Sequence, residues 1–475
     1  MPYTQVALAL SANQARSGAD GSAQLINCYA EDTGTDAKAK WTLYPSAGLD
    51  LWTTVQQSGS GGIKAMLKTE SYLYIVCGRK VTAIDVFGVK TVVLTLAADG
   101  DVYMARNRRN PSTQVCLVDS TSGVAYIIVN LTVTAITDPD LPPPVSVSVI
   151  DGYFILPTTY DRVFISGEDD GLNYAPLDFG KAQKQPDNTL YALGGERDAM
   201  IFGTNTVEWW TDSPDGLGNF PFTPIEVMNL GCSGAKTVVQ LDRAFAWLAS
   251  DGTVRLRDGY SGRRISSYYI ERRLASVTAS TISGFGWTEK DTGHAFLAWT
   301  CPSFTVVYAM RTGKWHERQS FARTNWRGSQ SIEWQGMLLI GDYQDGRVYR
   351  CLETVSTEGG EPILMTCIPP IINAGLSGFI LDEIAVDALT GVGTLGPLAQ
   401  DIDPVLMVST SDDGGLSYGL EREISLGRSG QRTKRLRALR FGKFGQQGCT
   451  LKLSCSASVS RALSSLEIKA RPLTT

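Results

Sequence analysis

"AMIFGTNTVEWWTDSPDGLGNFPF", residues 199–222, joins one strand-like run to a second through a short turn at Gly203 and Thr204, and ends in a Pro- and Gly-rich loop. Two tryptophans, Trp209 and Trp210, and the closely spaced phenylalanines Phe220 and Phe222 fall in this one stretch. They could form the wall of an aromatic pocket or one unit of a repeated scaffold. The rest of the chain favours the scaffold. The same apolar run, turn and second run recur in "YLYIVCGRKVTAID" (72–85), "QVCLVDSTSGVAYII" (114–128), "GYFILPTTYDRVFIS" (152–166), "RAFAWLASDGTVRLR" (243–257), "AFLAWTCPSFTVVYA" (295–309) and "MLLIGDYQDGRVYR" (337–350). The turns lie roughly 40 to 50 residues apart, the period of a four-stranded propeller blade.

Turn chemistry agrees with hairpins. Asp251-Gly252 and Asp345-Gly346 suit positive φ. A blade that is apolar on both faces cannot bury them alone, whereas neighbours stacked around an axis can. The sequence therefore predicts an all-β protein: a β-propeller of six or seven blades over residues 61–352. On a strand Trp209 and Trp210 point to opposite faces. One packs between blades; the other is a candidate for an interface groove, together with Phe220 and Phe222 on the loop that follows.

The two ends lack the repeat. Residues 1–60 read as an irregular arm and linker ending in "QQSGSGGIK", able to close the ring or to reach a neighbouring subunit. The start, "MPYTQVALALSANQARSGAD", has no basic beginning and no long apolar core, so no secretion signal is expected. After the polar linker "ETVSTEGGEP" (353–362), longer alternating runs such as "FILDEIAVDAL" (379–389) and "CTLKLSCSASV" (449–459) predict a β-sandwich over 353–475.

Of 475 residues 43% are hydrophobic and 19% charged, and the net charge is −5, which argues against a wholly basic nucleic-acid binder. The nine cysteines are scattered without a CxxC and read as buried free thiols. The only histidines, His294 and His316, read as packing or surface residues, and no Cys/His spacing suits zinc. "SGSGGIK" (58–64) lacks the order of a phosphate-binding loop, and no G-x-S-x-G nucleophile elbow is expected. No catalytic residue, metal site or cofactor is expected.

Two stretches remain. "SDDGGLSY" (411–418) has the spacing of an Asp-box through Ser411, Asp413, Gly415 and Tyr418, a self-capping hairpin turn of sialidases and related propellers. One copy gives weak support for a glycan hydrolase, which also needs a carboxyl pair at controlled separation. "GRSGQRTKRLRALRFGKFG" (427–445) carries Arg428, Arg432, Lys434, Arg435, Arg437, Arg440 and Lys443 and no acid. It reads as a solvated edge strand, as a contact for an acidic partner surface, or as a contact for DNA phosphate. "RNRRN" (106–110) is a smaller loop with the same ambiguity.

"INCYAE" (26–31), "LYPSAGLDLW" (43–52), the long stretch from Asp161 to Trp210, "NFPFTPIE" (219–226), residues 231–266 and "VVYAMRTGKWHE" (306–317) together resemble the packaged-DNA stabilisation proteins of short-tailed bacteriophages, also called tail hub or nozzle proteins. "STSDDGGLSYG" (409–419) is a fainter echo. The resemblance implies a virion tail protein assembled in the host cytoplasm. It implies a closed homo-oligomeric ring, a hexamer, below the portal and its adaptor protein. Such a ring carries tail fibres or spikes and surrounds passing double-stranded DNA, without membrane insertion by this chain. The alternative is a glycan-binding receptor protein or a sialidase-like hydrolase on a propeller.

Overall fold

A computed structural model describes residues 3–17, 21–56, 61–159, 161–176, 178–182, 187–195, 198–212, 221–375, 377–396 and 398–473. Seven blades surround one axis. Blades 1 to 6 occupy 63–95, 102–135, 148–181, 189–228, 239–264 and 283–317, each with four antiparallel strands paired in chain order. Every repeated hairpin of the sequence is the second and third strand of a blade; in blade 4 these are Asp198–Gly203 and Val207–Asp212. First strands of blades 5, 6, 7, 1, 2, 3 and 4 abut in that order and line the axis.

Blade 7 takes only three strands from its own stretch: Gly328–Trp334, Met337–Asp342 and Arg347–Leu352. Its fourth is Gly48–Thr54, which pairs antiparallel with Arg347–Leu352 and so closes the ring. Gly48 is required there, because a Cβ would lie 2.2 Å from the Val355 carbonyl oxygen.

The N-terminal segment is therefore not an irregular arm. Besides the closing strand it supplies Thr4–Val6, Ser22–Ile26, Cys28–Asp32 and Trp41–Pro45 to the sandwich. Cys28–Asp32 and Trp41–Pro45 form a local hairpin, but these strands are short and partly polar, and Thr4–Val6, Ser22–Ile26 and Trp41–Pro45 each reach the sandwich through a partner more than 300 residues away, so the local sequence does not show which sheets they join. One sandwich sheet runs Cys28–Asp32, Trp41–Pro45, Leu463–Pro472, Phe379–Ala388, Leu436–Phe444, with Thr4–Val6 added beside Leu463–Pro472. The other runs Ser22–Ile26, Met365–Ile368, Thr450–Cys455, Val405–Ser411, Arg422–Ser425. Leu25, Cys28 and Leu43 are buried between them with Leu381, Ile384, Val408, Leu451 and Leu466.

The two domains share hydrogen bonds. Ile26 also bridges Glu317, in the last strand of blade 6, so blade 6 and a sandwich sheet are one continuous sheet. The segment 353–362, expected as a polar linker, is anchored instead. Glu358 accepts from Ser320 Oγ (2.6 Å) and Trp326 Nε1 (2.8 Å) and faces the guanidinium groups of Arg318 (3.4 Å) and Arg327 (3.6 Å). All five side chains are buried. Arg318 lies 3.8 Å over the Trp326 ring and donates to the Ala47 carbonyl (2.8 Å), which ties the latch to the N-terminal segment. Breaking a buried pair by removing one partner is costly, so this contact fixes the sandwich on blades 6 and 7.

If the N-terminal strands are core elements, Leu43→Ala, far from the sandwich in sequence, lowers stability by about 2–5 kcal/mol. Denaturant unfolding measures this; a peripheral arm would give no change.

Candidate functional site

The Trp209 and Trp210 pair is buried on both faces. Trp209 packs between blades 4 and 5 with Phe202, Phe245 and Trp247. Trp210 packs between blades 3 and 4 with Ile155, Ile165 and Phe222, and its Nε1 donates to Glu208 Oε2 (2.9 Å). The expected interface groove at Trp209, Trp210 and Phe222 is thus corrected: blade stacking consumes both strand faces. Phe220 lies outside the described residues.

The axis holds a cavity of about 740 Å3 lined by the first strands. Side chains from non-adjacent blades meet across it. Lys236, before blade 5, pairs with Asp101, before blade 2 (2.5 Å), and the rings of Tyr103 and Tyr191 from blades 2 and 4 lie 5.5 Å apart. Lys64 binds Asp99 at the same mouth. Duplex DNA has no room there, so a DNA path would run outside the propeller hole.

Near the seam with the sandwich, both histidines pack against Tyr29, His294 at 5.2 Å and His316 at 6.0 Å between ring centroids. His294 also meets Glu31 Oε2 (3.1 Å). Burial and the nearby Arg318 charge push the His316 imidazole down from 6.5 to about 3. Burial pushes the Glu289 carboxyl up from 4.5 to about 7, against the opposing pull of Arg318 and a hydrogen bond from Trp287.

The Asp-box spacing forms the turn it implies. Ser411 Oγ donates to Asp413 Oδ1 (2.6 Å), and Asp413 accepts from the N–H of Leu416 (2.9 Å) and Ser417 (3.0 Å) and from Ser417 Oγ (2.5 Å). These bonds, Ser411 first, hold the Asp413 carboxyl well below the usual carboxylate range. Gly415 sits at φ +88°, with Tyr418 half-buried beside it. Contrary to the expectation of no G-x-S-x-G elbow, residues 415–419, Gly-Leu-Ser-Tyr-Gly, have that spacing. The turn connects strand to loop rather than strand to helix, Ser417 is bound to Asp413, and both histidines are in blade 6.

The basic run forms the last strand of its sheet, Leu436–Phe444, with the loop before it. Leu436 and Phe444 point into the core while Arg428, Arg432, Lys434, Arg435, Arg437, Arg440 and Lys443 are exposed. Arg435 donates to Tyr3 Oη (2.6 Å), Lys434 to Ser425 Oγ (2.5 Å), and Arg437 and Arg428 lie 3.8 and 3.7 Å from Glu383 and Asp403. Among the described residues Arg432, Arg440 and Lys443 have no acidic partner within ion-pair distance. Arg422 donates to the carbonyls of Leu439 and Arg440, covering part of the strand's open edge. In "RNRRN", by contrast, Arg106 pairs with Glu70 (2.9 Å) and Arg108 with Glu168 (3.7 Å).

All nine cysteines are buried free thiols. Among the described residues no His, Cys, Asp and Glu group could hold a metal ion, and no helix is long and apolar enough to cross a membrane.

A family model described as bacteriophage P22 Gp10, beta-propeller, matches residues 22–356, and one described as bacteriophage P22 Gp10, beta-sandwich, matches residues 365–471. The chain belongs to the bacteriophage P22 Gp10 family. As a member of the P22 Gp10 family it is a phage structural protein, associated with the virion. The propeller match begins at Ser22, so it takes in the N-terminal strands from Ser22–Ile26 onward, but not Thr4–Val6. No curated protein matches. Among solved structures the chain is similar to the WD40 beta propeller domain of Doa1, at 11% identity, 64% of this chain, 96% of that chain and TM-score 0.40. It is also similar to selenomethionine-substituted virginiamycin B lyase from Staphylococcus aureus, at 9% identity, 64% of this chain, 98% of that chain and TM-score 0.46.

Two outcomes follow for this P22 Gp10 family chain. Trp209→Ala and Trp210→Ala each cost about 3–5 kcal/mol, as cavity formation between blades requires; loss of binding without loss of stability would contradict the packing role. Glu289 holds its proton more tightly folded than unfolded, so its contribution falls as pH rises from 4.5 through about 7. His316 holds its proton less tightly folded, so its contribution rises from about pH 3 to 6.5, opposing Glu289 where the windows overlap. Glu289→Gln therefore gains stability relative to the wild-type chain as pH rises from about 5 to 8 in denaturant melts, and a relative loss would contradict the assignment.

Proposed function

We propose that the protein is a subunit of a closed ring on the tail axis of a short-tailed phage. The ring is a hexamer below the portal-proximal adaptor. It surrounds the DNA exit path, helps retain the packaged genome and carries tail fibres or spikes. Membership in the P22 Gp10 family across both domains is the observation that carries this reading. Two physical features support it. The propeller and sandwich are joined by a shared sheet and a buried ionic latch, which suits a part that bears load as one body. The overall charge of −5 suits a channel wall that does not grip phosphate, since each neutralised phosphate adds to affinity and to its salt dependence.

The role is mechanical and electrostatic rather than chemical. Asp413 is committed to its own turn, and Trp209, Trp210 and Phe222, which would have suited a glycan groove, are in blade cores. Ring subunits meet through heterologous contacts that repeat until the rotation closes.

Electron microscopy of particles carrying a tagged chain tests this. The expected result is a closed six-fold ring on the tail axis; label on the capsid shell or at the fibre tips would refute it.

A further inference from the structure

The charge of this chain is divided between two poles. Residues 136–228, which form blades 3 and 4 and their approach, hold fifteen Asp and Glu against four Lys and Arg. Asp140, Glu168, Asp212 and Glu226 of this sector are exposed. The run 427–445 holds seven Lys and Arg and no acid, all seven exposed, on an end strand of the sandwich and the loop before it. The sandwich is attached at blades 6 and 7. In a ring of seven, blade 3 lies across the axis from that attachment. One copy therefore cannot bring its basic edge to its own acidic sector, but two copies placed head to tail can.

We propose that the basic edge Arg428–Lys443 docks on the rim of blades 3 and 4 of a second copy of this chain. This rests on the ring reading above and names the surfaces by which neighbours meet. Arg432, Arg440 and Lys443 lack acidic partners within the described chain, so their charge is available to a neighbour. Arg422 already caps the edge carbonyls of Leu439 and Arg440, midway along the strand, so the contact is made by side chains there and not by an added strand. Each side also offers an apolar contact: Leu439 is 46% exposed within the basic strand, and Leu172 and Ile225 are 43% and 40% exposed within the acidic sector. Glu168 is partly occupied by Arg108 of blade 2, which leaves Asp140, Asp212 and Glu226 as the stronger acceptors. The contact is heterologous, with two different surfaces on every copy, and so propagates in one direction until it closes. Complementary charge of this kind sets orientation and speeds encounter, and it weakens as salt shortens the screening length.

Full-length protein, half of it labelled with heavy nitrogen, is mixed and treated with a carbodiimide, which couples carboxylates to lysine amines in direct contact. The expected products are isotope-mixed crosslinks from Lys434 or Lys443 to Asp140, Glu168, Asp212 or Glu226, lost as salt rises from about 50 to 500 mM. Arg432→Glu with Arg440→Glu weakens self-association in sedimentation by about tenfold or more, as does Asp140→Lys with Glu226→Lys, and the four together restore it. Isotope-mixed crosslinks that map elsewhere in a closed ring overturn this contact and leave the ring reading standing. Open or linear assemblies with the expected crosslinks keep the contact and remove the ring. Self-association that ignores the charge reversals, while binding of short duplex DNA is lost, assigns the edge to nucleic acid and overturns the proposal.

Discussion

The fold depends on ring closure. Each blade is apolar on both faces, and a face left without a neighbour would expose a core such as that of Trp209 with Phe202 and Trp247. Burial is complete only if the last blade meets the first. Gly48–Thr54 achieves this by pairing with Arg347–Leu352, joining elements about 300 residues apart. The entropic cost of closing so long a loop grows only slowly with its length, whereas an open ring would leave two blade faces in water. The closing strand also meets Glu358 through Leu49, so the element that closes the propeller holds the start of the sandwich.

That single N-terminal segment gives the molecule its rigidity. It enters one sandwich sheet at Thr4–Val6, the other at Ser22–Ile26, returns to the first at Cys28–Asp32, and only then reaches blade 7. The Arg318–Glu358–Arg327 cluster sits where these paths cross, with Glu358 shared between the two guanidinium groups and accepting from Trp326 and Ser320, and with Arg327 also paired to Glu361. A structural protein that passes load between the neighbours proposed here gains from such a junction, because no free linker can absorb the movement. The propeller hole has no comparable role, since Lys236–Asp101 and the Tyr103–Tyr191 contact cross it.

Much of this was legible in the sequence, for reasons that can be traced. The seven hairpins could be read because both strands of each are local and apolar, and Asp251-Gly252 or Gly78 marks the turn. The sandwich strands could be read from alternation in Phe379–Ala388 and Thr450–Cys455. The N-terminal strands could not, because they are only three to seven residues long and, apart from the hairpin of Cys28–Asp32 with Trp41–Pro45, the pairings that place them in the sandwich and in blade 7 are non-local. The Asp-box turn was legible because its bonds are all within a few residues of Asp413. The interface role offered for Trp209, Trp210 and Phe222 failed because exposure is set by blade stacking, which residue type does not reveal. The basic edge could be read as a charge run, but its separation from the acidic blades appears only once the ring order is known.

Native-state hydrogen exchange of the Gly48–Thr54 and Ser22–Ile26 amides tests the central claim most directly. If these strands close the ring and bind the sandwich to it, their amides open only with global unfolding, at the same free energy as Asp198–Gly203 in blade 4. Rapid exchange of both N-terminal strands while blade 4 stays protected would show that the ring holds without them, and would contradict this account.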